Sequence, residues 1–152
     1  MNAQLTEIMR LITNLIRTGV VTEVDRANCL CRVKTGDLET NWINWLTYRA
    51  GKSRTWWCPS PGEQLVLFSL GGNLETAFAL PAIYSNACPP PSDSESADVT
   101  AYEDGGWFEY DPATGMAQVS VRFVGELIAA TRDAGGAVVE GDPKAARKQR
   151  DI

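Results

Sequence analysis

The sequence predicts a mainly β protein with an N-terminal helix, a five-stranded OB-fold barrel and a short C-terminal β-meander. Three observations support this prediction: a helical period over Leu5–Arg17, five strand-like runs between Val20 and Tyr84, and a proline-rich break before further strand-like runs. We divide the chain into a helix (1–18), a barrel (19–88), a proline-rich linker (89–97), a C-terminal β region (98–141) and a basic tail (142–152).

The first segment has the pattern of an amphipathic helix. Four apolar residues recur at spacings of three, four and three, which places them on one face: Leu5, Ile8, Ile12 and Leu15. We expect the helix to end at Thr18 and Gly19, with Gly19 in the left-handed conformation that often follows a helix. At about two heptads the helix is too short to be stable alone, so this face packs either on its own domain or against a copy of itself.

Five short runs with strand character follow the helix. They are rich in β-branched and aromatic residues and are separated by turn sequences. The runs are Val20–Val24, Cys29–Val33, Thr40–Thr47, Glu63–Leu70 and Glu75–Tyr84. Five strands in about 65 residues favour a small barrel, of which the OB fold is the commonest kind, and a β-sandwich is the alternative.

The composition excludes several classes of function. The chain has no histidine, which removes Ser-His-Asp and Cys-His nucleophilic sites and imidazole metal sites. The four cysteines contain no Cys-x-x-Cys pair, so we expect no zinc or other cofactor and place Cys29 and Cys31 together on the core face of one strand. We assign Glu103, Asp104 and Glu109 to turn geometry and solubility rather than to a glycosidase site, and predict that the chain is not an enzyme.

The loop after the third strand interleaves cations with aromatic residues, a combination typical of single-strand stacking surfaces on OB folds. Its candidate contact residues are Arg49, Lys52, Arg54, Trp56 and Trp57. The formal net charge of −5 argues against a nucleic-acid partner. The alternative is that the tryptophans bury against the barrel while the cations are exposed or contact another subunit.

Beyond the prolines, three runs predict a β-meander: Asp98–Tyr102, Trp107–Tyr110 and Ala117–Val124. A sheet of this size cannot bury its own apolar faces, so it needs a partner surface. Alternation places three residues of the third run on one face: Val119, Val121 and Phe123. The second run is ambiguous, because either Trp107 or Phe108 can face inward. The last eleven residues have no apolar face and are expected to form a solvated basic tail.

Ordered motifs between Leu5 and Ser85 carry a family resemblance. They are Leu15–Asp25, Trp42–Thr47, Arg49–Trp57, Pro61–Gln64 and Leu80–Ser85. Together they resemble baseplate assembly protein V, the central spike of contractile phage tails and tailocins. The resemblance implies a homotrimer whose OB domains lie beneath the tail tube and hub, and whose C-terminal strands intertwine into an envelope-piercing spike.

This resemblance also implies partners and an interface. The candidate trimer interface, chosen from the apolar faces of the helix and the meander, consists of Leu5, Ile8, Ile12, Leu15, Trp107, Phe108, Val119, Val121 and Phe123. Family members commonly end in a His-x-His metal-binding apex, and the lack of histidine here leads us to expect a separate spike-tip protein. We expect further contacts with hub and tube proteins, a transient contact with the target membrane, and a place at the baseplate tip of a virion or tailocin assembled in the host cytoplasm.

Overall fold

The computed structural model describes residues 1–121, 130–132 and 138–140. The chain divides into two compact units, Met1–Pro90 and Pro91–Ile152. The predicted contact residue Phe123 and the predicted basic tail lie outside the described residues.

Helix α1 spans Asn2–Leu15 and leads directly into strand β1, Ile16–Asp25. The expected helix end at Thr18 and Gly19 is wrong, because Ile16 already has extended angles (φ −133°, ψ 122°). Gly19 lies inside β1, where a Cβ atom would stand 2.8 Å from the carbonyl oxygen of Lys34. The glycine therefore permits the close approach of two strands and does not end the helix.

Five strands close the barrel of the first unit. Strands β2 (Leu30–Thr35), β3 (Leu38–Glu39), β4 (Ile43–Trp45), β5 (Gln64–Ser69) and β6 (Ala77–Ile83) follow β1. The order around the barrel is β1-β2-β4-β6-β5 and back to β1, with β3 added beside β2. All these pairs are antiparallel except β4 with β6. The prediction of a five-stranded OB barrel is confirmed.

Two predicted strands are shorter than expected. Of the run Thr40–Thr47 only Ile43–Trp45 is strand. Thr40 directly follows β3 and is buried, and its Oγ1 accepts the backbone N–H of Val33 at 3.0 Å. The start of the run Glu75–Tyr84 belongs to a single 3-10 turn, Leu74–Thr76, so β6 begins at Ala77.

Alternate residues of the strands fill the barrel. The buried apolar core consists of Val21, Cys31, Val33, Ile43, Leu65, Leu67, Ala77 and Ala79. The placement of Cys29 beside Cys31 is wrong, because Cys29 is exposed and has a φ of +57° in the turn before β2. The Asp25 carboxylate shapes this turn by accepting the backbone N–H groups of Ala27 and Asn28.

The second unit contains the predicted three-stranded meander. Its strands are β7 (Asp98–Ala101), β8 (Trp107–Asp111) and β9 (Met116–Ser120), paired antiparallel in that order. Strand β9 ends before Val121, earlier than the predicted run. A further antiparallel pair, β10 (Ala130–Arg132) with β11 (Val138–Glu140), was not predicted from the sequence.

Candidate functional site: exposed assembly surfaces

The apolar face of α1 points into solvent. The four residues predicted to share this face are 41–60% exposed: Leu5, Ile8, Ile12 and Leu15. The adjoining side of the helix meets the barrel, where Leu11 is half-buried and Asn14 is buried. The apolar face of α1 therefore does not pack on its own domain, which was one of the two alternatives for this helix. The other alternative, packing against a copy of itself, stays a prediction.

A close backbone contact holds the helix against the barrel. Gly72, in the 3-10 turn Leu70–Gly72, is buried and has a φ of +78°. A Cβ atom at Gly72 would overlap the backbone of Leu11. Only glycine fits this contact without displacing the helix, so the exposed apolar face has a defined position on the barrel.

The outer surface of the barrel continues the apolar character of the helix. Ile16, Phe68 and Phe78 face each other across β1, β5 and β6. Ile16 is 65% exposed, although it is a large β-branched side chain. This row was not predicted from the sequence. The sequence pattern that could have indicated this row lies in β6. There the small residues Ala77 and Ala79 are buried, and the large residues Phe78 and Leu80 are exposed.

The cationic loop forms a small hairpin at the end of β4, called here the cationic hairpin (residues 47–55). The N–H of Thr55 donates to the carbonyl of Arg49 at 3.0 Å, and the N–H of Arg49 donates to Oγ1 of Thr55 at 3.0 Å. The hydroxyls of Thr47 and Thr55 are 2.8 Å apart at its base. These bonds give the hairpin a fixed shape.

The cations of the hairpin have no acidic partner in the part of the chain that the structure describes. Arg49, Lys52 and Arg54 are exposed, and none of them forms an ion pair with another described residue. Arg32 on β2 differs, because it pairs with Glu23 at 3.3 Å and with Glu39 at 3.5 Å. The hairpin thus presents uncompensated positive charge.

The two tryptophans after the hairpin are exposed rather than buried. Trp56 packs edge-on against Trp45, with ring centroids 5.8 Å apart. Trp45 in turn packs against the barrel core. Trp56 nevertheless remains 61% exposed and Trp57 67% exposed, so the alternative in which both bury against the barrel does not hold in this structure. Only Thr55 separates the two tryptophans from Arg54 in the chain.

The strand register of the meander resolves its ambiguous second strand. Phe108 pairs with Val119, and Tyr110 pairs with Ala117, so these side chains share one face. Trp107 lies on the opposite face, where its Nε1 donates to Glu109 Oε2 at 2.8 Å. Phe108, Tyr110 and Val119 are each 43–55% exposed, which gives the sheet one open apolar face.

The cysteines are free thiols. Burial, with smaller contributions from Cys58 and Glu63, raises the pKa of the Cys31 thiol to about 11. Burial also raises the pKa of Cys58. Within the described ranges no group of three or more Cys, Asp or Glu side chains is arranged to hold a metal ion. In the same part of the chain no helix has the length and apolar character needed to cross a membrane.

Comparison with known proteins relates this architecture to an injection apparatus. Residues 17–84 match the family described as the Type VI secretion system/phage-baseplate injector OB domain. A relative from Escherichia phage P2, named as a spike protein, is 48% identical over 118 residues, which are 78% of this chain. The chain covers 56% of the length of that relative. The barrel of this chain therefore belongs to the family of phage-baseplate and Type VI secretion injector OB domains.

Proposed function

We propose that this chain is a structural component of a contractile tail baseplate, a homotrimeric central spike that caps the tail tube and helps to puncture the target envelope. The observation that carries the proposal is the exposed apolar face of α1, held in a defined position on the barrel. An apolar face with Leu5, Ile8, Ile12 and Leu15 exposed is typical of a subunit interface. The similarity to the phage P2 spike protein supports the same role.

In the proposed trimer the helices pack against each other around the threefold axis. The row of Ile16, Phe68 and Phe78 continues this interface onto the barrel. The meanders form the second contact through the face that carries Phe108 and Val119, and the sequence alternation adds Val121 and Phe123 to it. Trp107 lies on the other face of the sheet, so we assign it to the outside of the spike.

The proposed role is mechanical. Contraction of the tail sheath supplies the work, and the spike transmits force to a small area of the target membrane. Three meanders that pair edge to edge would leave no free strand edge, which makes a stiff rod. The proposed partners are hub and tube proteins above the barrels and a separate tip protein below the meanders, in a virion or tailocin particle assembled in the host cytoplasm.

Immunogold electron microscopy of tail particles from producing cells tests this location. We expect an antibody against the chain to label one end of the particle, at the baseplate. Label along the sheath would contradict the proposal. So would the absence of label from both intact and detergent-opened particles, provided that mass spectrometry finds the chain in them.

The second candidate function is single-stranded nucleic-acid binding. The exposed surface that combines Arg49, Arg54 and Trp56 favours it. The net charge of −5 opposes it, so we expect no binding of an oligonucleotide at physiological salt. Micromolar or tighter binding that weakens with salt and with Trp56→Ala would reverse this ranking.

A further inference from the structure

Charge is distributed unevenly along the chain. Between residues 91 and 121 there are seven carboxylates and neither Lys nor Arg. The first part of this stretch, called here the acidic linker (residues 91–98), carries Asp93, Glu95 and Asp98. The cationic hairpin carries three cations and no carboxylate. The two segments therefore carry formal charges of opposite sign and equal magnitude.

The three linker carboxylates are available for a partner. The side chains of Asp93, Glu95 and Asp98 are exposed and take part in no hydrogen bond or ion pair with another described residue. Three other carboxylates of the second unit, Asp104, Glu109 and Asp111, already accept hydrogen bonds within it. Asp111 accepts the hydroxyl of Ser96 at 2.6 Å, which holds the pKa of Asp111 below its ordinary value.

The hairpin has the features of a preformed binding surface. Its backbone is fixed by internal hydrogen bonds, so little conformational freedom remains to be lost on binding. Arginine and tryptophan are also among the residues most enriched at the centres of protein interfaces. Arg49, Lys52 and Arg54 can pair with carboxylates while Trp56 contributes apolar contact beside them.

We infer that the cationic hairpin of one subunit binds the acidic linker of a second copy of the chain, an inference that rests on the proposed trimer. Within the first unit no described carboxylate pairs with Arg49, Lys52 or Arg54, so these cations are open to the acidic linker of a second copy, which has the complementary charge. A contact between two different surfaces repeats around a threefold axis and closes after three copies. Each hairpin and each linker is then used once.

Zero-length carbodiimide cross-linking tests this contact, because it joins Lys52 Nζ only to a carboxylate in direct contact. The sample is the full chain, refolded from an equal mixture of unlabelled and isotope-labelled protein. We expect cross-links between Lys52 and residues 91–98 in which one peptide is isotope-labelled and the other is not. The yield of these cross-links should fall at about 1 M salt, where the Debye length is about 3 Å.

The same sample separates failure of this inference from failure of the trimer. If light scattering shows a trimer but Lys52 is not cross-linked to the acidic linker, the inference alone is overturned. The same holds if the cross-linked peptides always carry the same isotope, because the contact then lies within one chain. A monomer overturns both.

Charge reversal provides an independent readout in the unlinked protein. We expect Arg49→Glu with Arg54→Glu to raise the trimer dissociation constant at least about fivefold, and Asp93→Lys with Glu95→Lys to restore it. Arg26→Glu, at an exposed cation in the turn after β1, is the control. The inference would be overturned if the arginine substitutions raised the dissociation constant no more than Arg26→Glu does. It would also be overturned if Asp93→Lys with Glu95→Lys failed to restore the dissociation constant.

Discussion

The guanidinium of Arg17 donates from Nε to Oγ1 of Thr35 at 2.8 Å, which ties the start of β1 to the end of β2. Thr35 Oγ1 donates in turn to the carbonyl of Thr18 at 2.8 Å. Arg17 Nη1 donates to Asn14 Oδ1 at 2.9 Å. Because Asn14 and Thr35 are buried, polar bonds fix the last turn of the helix while its apolar face stays open. The position of the proposed interface therefore depends on this network.

Thr35→Val should lower the free energy of unfolding by about 1 kcal/mol or more, because it leaves Arg17 Nε and the Thr18 carbonyl without their partner in a partly buried place. Urea denaturation followed by tryptophan fluorescence measures the change. Lys34→Ala, at the exposed neighbouring position of β2, is the control and should change stability by less than about 0.5 kcal/mol. Equal effects of the two substitutions would show that the network does not stabilise the fold.

Gly72→Ala should displace α1, because the new Cβ atom would overlap the backbone of Leu11. Gly71→Ala is a matched control, since Gly71 also has a positive φ of +62° but a Cβ atom there would have no heavy atom within 4 Å beyond its chain neighbours. Both variants carry a backbone cost of about 1 kcal/mol, and we expect Gly72→Ala to be less stable by at least about a further 1 kcal/mol. Amide exchange across 2–15 should accelerate only in Gly72→Ala, and equal exchange in the two variants would contradict the contact.

Val119→Asp should prevent trimer formation and leave the barrel folded. The charge would stand on the open apolar face with Phe108, and it would be repeated three times in the proposed seam. Gln118→Asp places the same charge on the opposite face and should be tolerated. Light scattering reports the assembly, and circular dichroism reports the barrel. A stable trimer of Val119→Asp with an unchanged melting temperature would contradict the proposed seam.

Stability should fall as the pH rises from about 9 to about 11. The folded pKa of Cys31 is about 11, raised from 9.0, so the unfolded chain loses this proton first and the folded state loses stability through that window. The difference between these two pKa values lowers the free energy of unfolding by about 2 kcal/mol at about pH 11. Denaturation at several pH values measures it. Cys31→Ala should remove this part of the slope, and an unchanged slope would contradict the account.

The barrel could be predicted from the sequence because its signals are local. Alternation places Leu65 and Leu67 in the core, and turn residues separate the strands. The helix end could not be predicted, since a glycine after an amphipathic run fits both a helix terminus and a close strand contact. Only the position of Lys34 against Gly19 distinguishes the two roles, and that contact is not local.

The candidate surfaces were predicted in part. Periodicity identified the face of α1 but could not decide what lies against it, because that depends on how Leu11 and Gly72 meet. The orientation of β8 needed the register of Phe108 with Val119, which no alternation in a single strand specifies. The outer row on β1, β5 and β6 was missed because Phe78 is of a type usually assigned to a core.

Light scattering coupled to size-exclusion chromatography, over a range of protein concentrations, tests the trimer most directly. The account predicts a mass of about three times 16.6 kDa that does not change on dilution through the micromolar range. A mass of 16.6 kDa at every concentration would contradict it, because the apolar face of α1 would then remain in solvent without a second or third copy of the chain to cover it.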